Sequence, residues 1–145
     1  MEDIEENIMN KIYRSSGIGL AAFLGGPLAA GYLLFKNYKA FDKEESAKSA
    51  LAISAFITTV FFVVMFSLPA GIIDKIPNFL FPIIFLWLGR WVAERTQKED
   101  AAYFVENGGD FYSNWRAAGV SIVVTLAAVI GVVLIYSFID ALFLA

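Results

Sequence analysis

Carboxylates are the side chains of this sequence that could do chemistry, because it has no histidine and no cysteine. Four of them lie close together along the chain, and oxygen ligands of this kind suit a divalent cation: Glu99, Asp100, Glu106 and Asp110. Their spacing matches no cation-binding loop, and a solvated helix face explains them better. We therefore expect no metal site, no cofactor and no catalytic residue. A lipid-active enzyme built on interfacial carboxylates is the least favoured alternative.

A glycine pattern near the start of the chain has the spacing of a dinucleotide-binding loop. Gly17, Gly19 and Ala22 match the three small-residue positions of this loop. Asp42 follows at about the distance of the acid that binds a ribose. That loop must follow a β-strand, whereas these glycines open a long apolar stretch. We reject this interpretation and turn to the elements that the apolar stretches predict.

Four long stretches carry no charged side chain, in a chain of 145 residues that is 59% hydrophobic and 17% charged. They cover residues 15–35, 49–73, 76–89 and 117–139. A hydrocarbon core of ~30 Å needs about 20 helical residues, so the first, second and fourth stretches are long enough to span it. The third spans if Arg90 extends its side chain to the headgroups, and a re-entrant or tilted segment is the alternative.

These stretches predict an all-α fold, an integral membrane four-helix bundle that forms one domain. The predicted spans are residues 15–35, 49–70, 76–93 and 117–139. Ile4, Ile8 and Ile12 recur every fourth residue, which favours a short amphipathic helix over residues 1–14 at the outer surface. A frayed polar tail is the alternative for this segment.

Lysine and arginine residues predict the orientation, because they resist translocation. Eight lie in the two longer connections, and three lie elsewhere: Lys36, Lys39, Lys43, Lys48, Arg90, Arg95, Lys98 and Arg116 against Lys11, Arg14 and Lys75. This bias places both longer connections in the cytoplasm and both termini outside.

Small side chains predict where the helices pack, because in lipid they let helix backbones approach closely. The predicted helix-packing residues are Gly17, Ala21, Gly25, Gly26 and Ala29 of the first helix and Gly131 of the fourth. The third helix is rich in bulky aromatic residues instead. We expect the first, second and fourth helices to pack together, with the third more peripheral or facing another subunit.

The triplet Gly25-Gly26-Pro27 lies in the middle of the first predicted span. Proline removes a backbone hydrogen bond and the glycines add conformational freedom, so we predict a kink or a short unwound stretch at Pro27. A plain kink is the simpler interpretation. The alternative is a broken helix whose freed backbone groups line a path for an ion or a solute.

Basic and aromatic residues alternate in both longer connections, a pattern that suits anionic headgroups or a docking partner. The predicted inner-face contacts with lipid or partner are Lys36, Tyr38, Lys39, Trp115 and Arg116. Arg90 and Asp140 lie near the ends of spans, and we interpret both as interfacial charges.

The segments 25–39 and 108–119 resemble stretches of small uncharacterised bacterial multi-pass inner-membrane proteins. The resemblance implies the bacterial inner membrane as the location and carries no activity.

We expect a non-enzymatic multi-pass membrane protein that acts as a subunit or scaffold through helix packing. The alternative is a small oligomeric transporter or channel with a path near the break in the first helix. The expected partners are membrane lipids and the protein itself or other membrane subunits, with no nucleic acid.

Overall fold

The computed structural model describes residues 11–144. The described chain is all-α apart from two short strands. In chain order the elements are β1 (Lys11–Ile12), α1 (Ser15–Ala40), α2 (Glu44–Ser67), α3 (Ala70–Ile73), α4 (Leu80–Glu106), β2 (Asp110–Phe111) and α5 (Asn114–Leu144).

Three helices are long and apolar enough to cross a membrane: α1, α2 and α5. Helix α4 is long as well, but Arg90, Glu94 and Arg95 lie within it. A crossing by α4 therefore stays a prediction, as does the four-helix membrane bundle. Helix α4 begins at Leu80 rather than near residue 76, because Pro77 takes part in a turn in which its carbonyl accepts a bond from the Leu80 N–H at 2.9 Å.

Helix α1 consists of two helical parts that meet at Gly26. The backbone angles of Gly26 are φ 70° and ψ −165°, which are not helical, and Pro27 follows directly. The Tyr13 N–H donates to Asn37 Oδ1 at 2.7 Å, and Asn37 Nδ2 donates to the Tyr13 carbonyl at 2.9 Å. A straight helix would separate these residues by about 36 Å. The two parts, residues 15–25 and 27–40, therefore lie side by side.

The folded-back α1 is the centre on which the other long helices pack. Helix α5 lies against the first part, since a Cβ placed on Gly17 would be 3.2 Å from the Ala117 Cβ. Helix α2 lies against the second part, where Gly31 contacts Ser54. Helix α4 contacts both parts: a Cβ on Gly89 would lie 2.8 Å from the Ala22 Cβ and 3.7 Å from the Ala30 Cβ.

The position of α4 corrects one expectation from the sequence. The third long helix is not peripheral, because it packs closely against α1. Gly19 shows the same close approach, since a Cβ there would lie 3.0 Å from the Leu86 carbonyl oxygen. Bulky side chains elsewhere on α4 do not prevent this contact, because small residues occupy the contact itself.

The segment before α1 lies beside the connection between α4 and α5. Strand β1 pairs in parallel with β2, with Lys11 opposite Asp110 and Ile12 opposite Phe111. The sequence predicts these two segments on opposite sides of a membrane, and that relative placement is wrong. The predicted helix over residues 1–14 is also wrong at residues 11–12, which are a strand, whereas residues 1–10 lie outside the described part.

The ends of the helices largely follow the sequence signals. Helix α4 ends at Glu106, and Gly108 takes the left-handed conformation after it, with φ 95°. The Ser113 hydroxyl accepts a bond from the Arg116 N–H at 3.2 Å and so caps α5. Asp42 does not cap α2: it has φ 58°, and Lys43 is the residue before the helix.

Candidate functional site

A buried amide cluster holds the two parts of α1 together at the end of the molecule near β1. Besides its two bonds to Tyr13, Asn37 donates to Gln97 Oε1 at 3.0 Å, and Gln97 Nε2 donates to the Leu34 carbonyl at 3.1 Å. Asn37 and Gln97 are only 2% and 3% exposed. The amide groups therefore join the start of α1, its end and α4 in one network.

Tyr13 extends this network toward α5. Its ring lies 4.7 Å from the ring of Tyr112, centroid to centroid. Burial raises the pKa of the Tyr13 hydroxyl above its usual value, although a hydrogen bond from Arg116 acts in the opposite direction. Arg116 also lies over the Tyr112 ring at 4.5 Å. Tyr112 and Arg116, on either side of the first residue of α5, thus pack over the start of α1.

Most of the small residues predicted to pack helices contact other helices of the same chain. Ala21 and Ala29 are buried, and the Ala21 carbonyl accepts a bond from the Ser121 hydroxyl at 2.9 Å. A Cβ on Gly25 would be 2.7 Å from that hydroxyl oxygen. The small residues of α1 therefore contact other parts of the same chain. Gly26 is the exception, because a Cβ there would meet nothing within 4 Å.

Gly131 differs from the other predicted packing residues. A Cβ at Gly131 would meet no described atom within 4 Å. All residues from 132 to 144 are exposed. Gly25, at the turn of α1, lies opposite Ser121 and Thr125 of α5, and none of residues 126–144 is buried. We call residues 126–144 the free part of α5.

A groove lies between α2 and α4, with the second part of α1 as its floor. Its volume is about 590 Å³. The lining side chains are mostly apolar or small, with polar residues at one end. They are Ala22, Pro27, Ala30, Gly31, Leu34, Tyr38, Glu45, Ser46, Ser49, Ala50, Ile53, Ser54, Ile57, Phe85, Leu88, Gly89, Val92 and Thr96.

The two ends of the groove differ in chemistry. Its mouth is polar and lies near the start of α2, at Glu45, Ser46 and Ser49. The far end is aromatic, because Phe61 of α2 packs edge-on against Phe85 of α4 with ring centroids 5.1 Å apart. Phe61 contacts Phe81 at the same distance. The groove therefore runs from a polar mouth to an apolar end at Phe85.

Charged residues around the mouth are largely paired with one another. Lys43 Nζ lies 2.8 Å from Asp100 Oδ2, and Lys39 Nζ lies 3.4 Å from Glu44 Oε1. The bond to Asp100 raises the pKa of the Lys43 amine. Lys39 also lies 5.5 Å from the Phe35 ring centre.

The remaining predicted contact residues lie apart from the groove, with one exception. Lys36 lies 5.8 Å from the ring centre of Tyr32, and Trp115 is 87% exposed. Tyr38 lines the groove, so it is the one member of this set that belongs to the cavity. Of the two predicted interfacial charges, Arg90 pairs with Glu94 at 2.9 Å.

Asp140, the second predicted interfacial charge, is exposed in the free part of α5. The carboxylates singled out in the sequence do not form a metal centre. Within residues 11–144, no three carboxylates lie in an arrangement that could hold a metal ion.

Sequence reasoning missed the amide cluster and the groove. Asn37 and Gln97 are separated by 60 residues and carry no motif. The charges did contain one signal for the folded-back course of α1. If Lys11 and Arg14 lie on the same side as the two longer connections, Lys75 is the one basic residue on the other side.

Comparisons with known proteins identify no relative. No family model matches the chain, and no curated protein or solved structure is similar to it.

Proposed function

We propose that the protein is embedded in a membrane by three crossings and one re-entrant helical hairpin. Helices α2, α4 and α5 supply the crossings, and the folded-back α1 enters and leaves on the same side. The hydrogen bonds between Tyr13 and Asn37 support this arrangement, because they bring both ends of α1 together. The irregular backbone is confined to Gly26, between two helical parts whose backbone groups are hydrogen-bonded within the helix, which limits its cost at membrane depth.

This arrangement strengthens the charge bias that orients a membrane protein. Lys11 and Arg14 join the two longer connections, so ten of the eleven basic residues share one side and Lys75 lies on the other. The positive-inside rule then places residues 11–14 in the cytoplasm and the end of α5 outside. The bacterial inner membrane, which the sequence resemblance implies, is the proposed location.

We further propose that the protein is a non-enzymatic membrane subunit that associates with a second copy of itself through the free part of α5. This part supports the proposal because it is a long apolar helix segment without a partner in the described chain. Helix α5 has 31 residues, about 46 Å, whereas the first part of α1 covers only its beginning. Gly131 lies open on this segment, where a small residue lets a second helix approach.

The test compares two glycines of α5 that both face open space. Gly131 lies in the free part, and Gly119 lies where α5 runs beside α1. We expect Gly131→Leu to weaken self-association in detergent at least about tenfold and Gly119→Leu to leave it unchanged, with mass measured by light scattering. A monomeric unaltered protein, or equal association of both variants, would contradict the proposal.

A small transporter or channel is the second candidate, with a path near the break in α1. The groove supports it, because it extends from the polar mouth to Ala22 and Pro27 beside the break. The test measures efflux of K⁺ and of glycerol from vesicles that contain the protein. Transport requires efflux above that of empty vesicles, and a reduction by Ile53→Trp, which fills the groove. Efflux equal to that of empty vesicles would show that the protein transports neither K⁺ nor glycerol.

A further inference from the structure

The groove between α2 and α4 has the depth of one membrane leaflet. Its lining residues on α2 extend from Glu45 to Ile57, which corresponds to about 18 Å of helix. Half of a ~30 Å hydrocarbon core is about 15 Å. Because the polar residues of the groove cluster at one end, that end fits the headgroup level and the apolar remainder fits the acyl-chain region.

The size of the groove suits a single hydrocarbon chain. Its volume is about 590 Å³ over about 18 Å of length. Carbon atoms in contact lie about 4 Å apart, so one extended chain fits between the walls.

Glu45 is the one charged side chain among the residues that line the groove. The neighbouring Glu44 pairs with Lys39, and Asp100 pairs with Lys43. Glu45 has no ion pair within residues 11–144, and it is exposed beside Ser46 and Ser49. A ligand that ends here therefore gains from a cationic N–H donor facing Glu45 and from groups that accept hydrogen bonds from the serine hydroxyls.

We propose that this groove binds one phospholipid with a primary ammonium headgroup, with one acyl chain inside the groove. The ammonium group pairs with Glu45, and the phosphate accepts hydrogen bonds from Ser46 and Ser49. The chain terminus lies toward Phe85, whose ring contacts Phe61. The site goes beyond the proposed self-association, and it rests on the proposed membrane placement of α2 and α4.

The test uses native mass spectrometry of the purified full chain, titrated with phosphatidylethanolamine, phosphatidylcholine or phosphatidylglycerol. Choline has no N–H to donate, and phosphatidylglycerol has no cation. We expect one phosphatidylethanolamine to bind about threefold more tightly than either other lipid, which is the scale of an ion pair at an exposed carboxylate. Equal binding of the three lipids, or no binding, would overturn the assignment.

Two alanines of α2 provide a matched pair for the groove. Ala50 lines the groove, whereas the nearby Ala52 is exposed and does not. We expect Ala50→Trp to lower phosphatidylethanolamine binding at least about tenfold and Ala52→Trp to leave it unchanged. Ile53→Trp is a second groove-filling variant, at a residue that is 58% exposed and tolerates a larger side chain. Unchanged binding in both groove-filling variants would show that the lipid binds elsewhere.

Glu45→Gln tests the headgroup separately from the chain. The preference for phosphatidylethanolamine over phosphatidylcholine should disappear, because the neutral amide no longer pairs with the ammonium group. A preference that persists in this variant would contradict the role of Glu45. Association through Gly131 is measured by mass without added lipid, so failure of the lipid site and failure of the self-association proposal are distinguishable.

Discussion

Asn37 is the residue whose side chain does most to hold α1 in its folded-back form. It makes two hydrogen bonds to the backbone of Tyr13 and one to Gln97 while almost fully buried. We expect Asn37→Ala to destabilise the protein by roughly 2 to 4 kcal/mol, because the buried partners lose their bonds. Asn107→Ala is the control, since Asn107 bonds only to a carbonyl of its own helix. Chemical unfolding in detergent measures both, and equal small effects would contradict the structural role of Asn37.

Lys43 and Asp100 form an exposed ion pair that joins the start of α2 to α4. The pair raises the pKa of Lys43 above its ordinary value of 10.5. A raised amine pKa contributes stability that is present at lower pH and is lost as pH rises through the raised value. We expect Lys43→Met to lower the thermal midpoint slightly at pH 8 and to have no effect well above pH 10.5. A difference that does not depend on pH would show that the pair does not act through charge.

At the scale of elements, the break in α1 depends on the backbone of Gly26. Its angles, φ 70° and ψ −165°, lie in a region that is essentially restricted to glycine. A Cβ there would meet no described atom, so the backbone alone is tested by Gly26→Ala. We expect a loss of about 1 to 3 kcal/mol in the free energy of unfolding.

Gly119→Ala is the control for this substitution. Gly119 also faces open space, but it lies inside the regular helix α5. Alanine favours a helix over glycine by about 1 kcal/mol, so we expect a neutral or stabilising effect. If both variants are neutral, the break at Gly26 does not need a glycine.

At the scale of the whole molecule, the fold gathers three segments at one end. They are residues 11–14, the connection between α1 and α2, and the connection between α4 and α5. The described structure therefore requires Arg14 and Lys98 to lie on the same side of a membrane. In the proposed arrangement of three crossings, Asp140 lies on the other side.

Single cysteines test this arrangement directly, because the chain has none of its own. We expect Arg14→Cys and Lys98→Cys to react with an impermeant maleimide only in inverted vesicles. Asp140→Cys should react only from the opposite side. Reaction of Arg14→Cys from the same side as Asp140→Cys would restore the four-span arrangement that the sequence predicts.

Local patterns in the sequence were sufficient for the helices and for several of their ends. The apolar stretches predict the long helices α1, α2 and α5, and Gly108 and Ser113 are residue types that commonly end and begin helices. These features depend on side chains within a few residues of one another, so they can be predicted from composition and spacing. The triplet that contains Gly26 likewise marks the place where α1 becomes irregular.

The tertiary structure alone decided the course of α1 after that point and the side on which residues 11–14 lie. A kinked helix and a folded-back one share the same triplet, and the choice depends on contacts between residues far apart, such as Tyr13 with Asn37 and Asn37 with Gln97. The groove likewise depends on tertiary packing, because its wall residues come from three helices. Hydropathy reports how each segment interacts with its surroundings, whereas these features follow from hydrogen bonds and close packing between segments.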